Sequence, residues 1–165
     1  SGVTPDVMAC AKGIAGGFPC GAVLATDAVA SSMTAGSHGS TFGGNPLAMA
    51  VANANLDVLT SDGFLDNVIR SGDALRAGLR EIAGRHPDII TDVRGQGLMI
   101  GMVIAEPFTN GQLGEAARDS NLLTVVAGEN VLRMLPPLII GESEIAEAVE
   151  AIEQACTALA SAGDA

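Results

Sequence analysis

Two apolar stripes of helical period run through this chain. Leu65, Val68, Gly72, Leu75, Leu79 and Ile82 step by 3, 4, 3, 4 and 3, the spacing that puts side chains on one helix face. The spacing predicts a helix from about Gly63, stopped by Gly84 and Pro87. Ile145, Val149, Ile152, Cys156 and Leu159 step by 4, 3, 4 and 3, so a last helix is expected from near Glu142. Glu142, Glu144 and Glu147 sit at its start, where the helix dipole favours anions. Between the two stripes lie shorter apolar runs of strand length. Residues 89–94 and 98–104 read as strands joined at Gly95-Gln96-Gly97, and 122–126 and 130–135 as two more meeting near Gly128. Residues 111–119 read as a short polar helix, and Pro136-Pro137 ends the sheet.

The first sixty residues are patterned differently. Residues 5–12 and 20–26 read as two short buried strands around a Gly16-Gly17 loop. Asp27 is expected to cap a short helix over 28–33. Residues 34–44 are rich in Gly, Ser and Thr without periodicity and read as a loop. Asn45-Pro46 is a helix start signal, with Asn as N-cap and Pro at the first helical position. Leu47, Val51, Ala54 and Val58 are expected to form that helix's apolar face. The order is a βα remnant, long linking helices, then a mixed α/β unit from about residue 88.

Composition narrows the function classes. The net charge is −11 over 165 residues, which argues against nucleic acid and anionic membranes, since both need basic patches. The acids are spread along predicted helices and form a solvated face. The longest strongly apolar run, Leu98 to Ala105, is too short to span a membrane. No signal peptide is visible, so a cytoplasmic location is expected. Cys10, Cys20 and Cys156 show no paired spacing and read as free thiols. With only His38 and His86 as histidines, no metal site is expected. The chain is 48% apolar with no Trp or Tyr and opens on Ser1-Gly2 rather than on a methionine. We therefore expect a piece of a larger subunit or a tight oligomer.

Lys12 is the sole lysine. It ends the apolar stretch Val7-Met8-Ala9-Cys10-Ala11 and opens the run Gly13-Ile14-Ala15-Gly16-Gly17. An amine in an apolar setting loses its proton more readily than the usual ~10.4 implies, and can attack a carbonyl to form a Schiff base. The bland alternative is a surface lysine in a chain whose other cations are seven arginines. Arg94-Gly95-Gln96-Gly97-Leu98-Met99-Ile100-Gly101 does not fit a dinucleotide fingerprint: its spacing is one residue too long and it leads into a strand. A tight turn is the expectation there. Ser37-His38-Gly39-Ser40-Thr41-Phe42-Gly43-Gly44-Asn45-Pro46 crowds hydroxyls ahead of a helix N-terminus. Such a place either binds an anion or serves as a capped structural loop. His38 and Ser40 lack an acid to orient a hydrolytic pair. Arg133 lies in the apolar strand Val131-Leu132-Arg133-Met134-Leu135. A guanidinium there needs a carboxylate, either structural or from a ligand.

These places together resemble one family. Pro5-Asp6-Val7-Met8 and Ala11-Lys12-Gly13-Ile14-Ala15-Gly16-Gly17-Phe18-Pro19-Cys20-Gly21-Ala22 are similar to the lysine segment of class III pyridoxal-phosphate aminotransferases. His38 to Ala48 resembles the segment that follows it. Val93 to Met99 and Leu132 to Leu138 resemble two further segments, in the same order. The likeness covers nearly the whole chain, and the wording is closest to the acetylornithine and ornithine branch.

The resemblance implies an α/β fold, the C-terminal part of a fold-type I pyridoxal-phosphate transferase. Residues 1–60 would be the end of the large cofactor domain, 61–87 a linking helix, and 88–165 a small α/β domain. No segment matches the family's phosphate-cradling glycine-threonine turn, ring-stacking aromatic or pyridine-nitrogen aspartate, so the chain alone is expected to be inactive. The implied cofactor is pyridoxal 5′-phosphate, with Lys12 as the Schiff-base lysine that then shuttles the substrate proton. Thr41 would hold the cofactor phosphate of the neighbouring subunit of a homodimer, Ser40 would line the substrate site, and Arg133 would serve substrate carboxylates. Arg94 is read as structural. The implied reaction moves the δ-amino group of N-acetylornithine to 2-oxoglutarate, in arginine biosynthesis. Ornithine, succinyl-diaminopimelate and 4-aminobutyrate remain open as donors. A non-catalytic α/β dimerisation or binding module is the alternative of another class.

Overall fold

A computed structural model describes residues 2–163. The chain divides into two compact units, one up to Phe64 and one from Leu65.

The first unit is built on a two-stranded antiparallel sheet, β1 (Val7–Cys10) and β2 (Ala22–Ala25), with Cys10 opposite Ala22. A 3-10 turn over Lys12–Ala15 lies between the strands. A four-residue helix, α1 (Asp27–Ala30), follows, and α2 (Pro46–Leu59) closes the unit. The strands expected to be buried are largely open: Val23 is 70% exposed and Leu24 52%. No layer of this unit covers the faces of so small a sheet. The helix expected over 28–33 is shorter, and Asp27 lies in its first turn, with Thr26 at the cap position and no side-chain capping bond. The start of α2 matches expectation, with the Asn45 side chain accepting from the Ala48 amide at 2.9 Å. Its buried face is rotated from the predicted one. Ala48 and Ala52 are buried while Leu47 and Val58 are exposed, because the helix packs its small residues against the Lys12–Ala15 turn.

The second unit holds the main core. Helix α3 (Phe64–Arg85) runs through Gly84, and Leu75, Leu79 and Ile82 are wholly buried. The sheet strands are β3 (Ile90–Gln96), β4 (Met99–Ile104), β5 (Val125–Ala127) and β6 (Val131–Met134). Their order is β3-β4-β6-β5, all antiparallel. Helices α4 (Asn110–Asp119) and α5 (Glu142–Gly163) complete the unit. Period-two alternation divides the sheet cleanly. Val93, Ile100, Met102, Leu132 and Met134 point into one core with α3, α4 and α5 residues such as Leu113 and Ile152. The other face carries Arg94, Met99, Gly101, Val131 and Arg133.

The turn expected at Gly95-Gln96-Gly97 falls at Gly97-Leu98, because Gly95 and Gln96 still pair within β3. Gln96 pairs with Met99 across it, and Gly97 has φ +54. A Cβ on Gly72 of α3 would collide with the Gly97 carbonyl, so helix and turn meet glycine to glycine. Arg76 of α3 also donates to the Gly95 carbonyl at 3.1 Å.

Two asparagines tie the β5–β6 turn to the start of α4. The Asn110 side chain donates to the carbonyls of Ala127 and Val131 at 2.8 and 3.0 Å. Its backbone amide donates to Asn130 Oδ1 at 2.7 Å, and Asn130 Nδ2 reaches the Ile104 and Phe108 carbonyls. A Thr109–Gln112 capping box finishes that helix start.

Candidate active site

Lys12 stands where β1 gives way to the 3-10 turn, with φ +60. Among the described residues the other non-glycine positions of positive φ are Asn121, Glu129 and Asn130. Asparagine tolerates that region through local hydrogen bonding; lysine has no such help. Backbone of this kind persists only where its surroundings impose it, and it gathers at functional sites. The Lys12 side chain is exposed. The apolar enclosure expected around it is therefore not supplied by the described residues.

The restraint on the turn comes from Asn55, which the sequence reading did not single out. Its Nδ2 donates to the carbonyls of Gly13 at 3.1 Å and Ile14 at 3.2 Å. Gly16, with φ +58, passes directly beneath: a Cβ there would lie 2.9 Å from Asn55 Oδ1. The visible signal was a polar residue on the alanine face of α2, one turn from Ala52 and two from Ala48.

Ser40 and Thr41 lie in the exposed loop before α2. The loop is held by its own bonds. Gly43 donates to the Ser40 carbonyl at 3.4 Å, and Asn45 Nδ2 to the Phe42 carbonyl at 2.8 Å. Helix α2 thus carries the Thr41 loop at its start and anchors the Lys12 turn from its middle. These two candidate segments share one rigid support.

Arg133 sits in the second unit, on β6. It is half-buried rather than enclosed, because it projects from the sheet face opposite the core. Its Nε is buried without a hydrogen-bond partner. Among the described residues Arg133 makes none of the four ion pairs, which join Arg76 to Asp73, Arg85 and His86 to Glu153, and Arg94 to Glu129. An unpartnered donor on a half-buried guanidinium is chemically suited to a carboxylate. Within the first unit, one amine on a constrained turn and hydroxyls at a helix start fit an aldehyde-bearing phosphate cofactor; within the second, Arg133 without a carboxylate partner fits a carboxylate ligand.

No three His, Cys, Asp or Glu side chains cluster as metal ligands among the described residues. Cys10, Cys20 and Cys156 are free thiols. No described helix is long and apolar enough to cross a membrane.

Comparison with known proteins places the chain among the aminotransferases. An acetylornithine aminotransferase of Mesorhizobium japonicum is 55% identical over 162 residues, covering 98% of this chain and 40% of the relative. One from Rhodobacter capsulatus is 52% identical over 96% of this chain and 40% of its own length. This chain therefore spans about two-fifths of the relatives it matches. Among solved structures, an N-acetylornithine aminotransferase from Stenotrophomonas maltophilia superposes with TM-score 0.84 at 39% identity, over 97% of this chain and 42% of that one. An ornithine aminotransferase from Toxoplasma gondii, described with partial occupancy of pyridoxal phosphate at its active site, gives TM-score 0.89 at 30% identity, over 99% of this chain and 39% of that one. The model of the class-III aminotransferases matches residues 1–156, and the chain belongs to that family.

Proposed function

We propose that this chain supplies the lysine turn and a small α/β domain of an enzyme that transfers the δ-amino group of N-acetylornithine to 2-oxoglutarate. The observation that carries the reading is the sole lysine, held at φ +60 by a turn that Asn55 fastens. When bound, pyridoxal 5′-phosphate supplies an aldehyde that accepts amines and an electron-poor ring that acidifies the adjacent C–H bond. The residues of this chain do the rest. Lys12 would offer the amine that holds the cofactor and would move the proton at the carbon bearing the amino group. Thr41 would donate to the phosphate, across the interface of a homodimer. Ser40 lines the acyl-donor pocket. Arg133 grips a substrate carboxylate with its planar fork. Residues 1–60 would complete the cofactor domain, 61–87 link, and 88–165 form the small domain of a cytoplasmic enzyme. The relatives named for N-acetylornithine support this donor over ornithine, succinyl-diaminopimelate or 4-aminobutyrate.

The test is borohydride reduction of the full-length holoenzyme, followed by peptide mapping. A pyridoxyl group should sit on Lys12, and Lys12→Ala should abolish both the label and transamination. A label elsewhere, or none, removes the reading and leaves the binding module. Arg133→Lys keeps the charge and loses the fork. kcat/KM should fall for a carboxylate substrate with thermal stability little changed; a purely structural arginine would give the reverse.

A further inference from the structure

Helix α2 is tied to one candidate segment at its start and to the other near its middle. At the start the Asn45 side chain works in two directions. Its Oδ1 accepts from the Ala48 amide at 2.9 Å, which caps the helix, and its Nδ2 donates to the Phe42 carbonyl at 2.8 Å, which ties down the Ser40–Thr41 loop. Ten residues on, about 15 Å along the helix axis, Asn55 Nδ2 reaches the Gly13 and Ile14 carbonyls at 3.1 and 3.2 Å. Between the two asparagines Ala48 and Ala52 are buried, as is Ala15 of the turn, and helix and turn pack against each other. The Thr41 loop and the Lys12 turn are therefore the two ends of one bar within a single chain.

The bar is not locked. A lysine at φ +60 costs about as much as two ordinary hydrogen bonds return. Turn and helix thus dock and undock at similar free energy. A contact made at either end of the bar favours the docked form, and so favours binding at the other end.

We propose that α2 couples the two active sites of the homodimer, so that filling one site tightens the other. The proposal rests on the aminotransferase reading, in which Lys12 serves the cofactor of its own subunit and Thr41 the phosphate of its neighbour's. A cofactor in one site then engages the turn of one subunit and the loop of the other. Through the two copies of α2 it docks the remaining loop and the remaining turn, which are the two parts this chain gives to the second site. With each bar docked about half the time when empty, the first cofactor meets a competent pair about one time in four and the second always, so the second binds about fourfold more tightly.

The measurement is calorimetric titration of the full-length apoenzyme dimer with pyridoxal 5′-phosphate, resolved into two stepwise constants. In wild type the second should exceed the first about fourfold once the statistical factor is removed. Asn55→Ala cuts the bar from the turn, so both steps should weaken and become equal. Amide exchange gives a readout away from the ligand. The Gly16 and Phe18 N–H groups donate to the Gly13 and Ala15 carbonyls at 3.1 and 3.0 Å, and their exchange reports whether the turn is closed. A hybrid dimer of one Lys12→Ala subunit and one Thr41→Val subunit keeps one intact site, with Thr41 from the first and Lys12 from the second. Loading it should slow exchange in the turn of the Lys12→Ala subunit, whose own site is empty. The proposal is overturned if the wild-type steps are equal, if Asn55→Ala preserves their difference, or if loading the hybrid leaves that turn's exchange unchanged. Failure of the aminotransferase reading shows separately, as no label on Lys12 in the holoenzyme or as a hybrid dimer without one site of wild-type affinity.

Discussion

Asn55 and Gly13 are 42 positions apart in sequence and 3.1 Å apart in the fold. That bond, with its companion to Ile14, is what makes the backbone at Lys12 a fixed feature. Asn55→Ala removes both. Two lost bonds cost about 1–3 kcal/mol, and the turn should relax. Denaturant unfolding should show the loss in the full-length protein. Cofactor retention after dialysis should fall with it. Retention equal to wild type would mean that the turn is held by something else.

Thr41→Val tests the phosphate contact. Loss of a hydrogen bond to a charged group is worth about 1.5–3 kcal/mol, roughly 10–150-fold in cofactor affinity. The fold should be intact, because the Thr41 loop is held by Asn45 and Gly43. Cofactor titration of the apoenzyme reads the effect directly, and unchanged affinity would assign the contact elsewhere.

Gly72→Ala is expected to be among the most damaging small substitutions in the second unit. The new methyl would meet the backbone of Gly97, and backbone cannot rotate aside as a side chain can. Overpacking typically costs 1–3 kcal/mol. The melting temperature should fall, whereas Gly84→Ala, which meets nothing within 4 Å, should raise or preserve it.

Acid stability should depend on Glu153. Its carboxylate accepts from Arg85 at 2.7 and 3.1 Å and lies 2.9 Å from His86. Arg85 first, and His86 second, hold its carboxyl below the usual carboxylate range. A lowered folded pKa means stability that is present above the unfolded value of 4.5 and lost as pH falls through the folded one. Unfolding free energy measured from pH 6 down to pH 2 should therefore decline less steeply in Glu153→Gln. Parallel curves would show that the carboxylate contributes nothing to acid sensitivity.

Cys156 should resist alkylation in the native state. Burial pushes its thiol up to about 12, with the Glu153 charge adding to the effect, and the thiolate is the nucleophile. Iodoacetamide with peptide mapping should label it only on unfolding. Labelling at the rate of an exposed thiol would contradict the packing described here.

What could be read from the chain before the fold was known follows the range of the forces involved. The stripes of α3 and α5 were legible because a helix buries one face over many turns, and every apolar residue repeats the same message. Asn45-Pro46 was legible because capping is local. The rotated face of α2 was not. Its packing is decided by small residues meeting the Lys12 turn, and alanines carry little pattern. Asn55 escaped notice for the same reason: its partners are backbone atoms of a distant turn. The openness of β1 and β2 could not be foreseen from apolar runs alone, which record that a strand is to be covered, not by which segment.

The Asn110–Asn130 clasp bears on how the protein ages. Asn110 is followed by Gly111, a dipeptide in which the next amide readily attacks the side-chain carbonyl and expels ammonia. In the native state that side chain is committed to the Ala127 and Val131 carbonyls, and its neighbour is wound into α4. Both restraints vanish on unfolding, when asparagine becomes a thermolabile residue. Aspartate formed at 110 has no amide hydrogens to give the two carbonyls, so a molecule that deamidates while open cannot rebuild the clasp. The same two bonds that shape the β5–β6 turn thus act as a chemical clock that runs only in the unfolded chain.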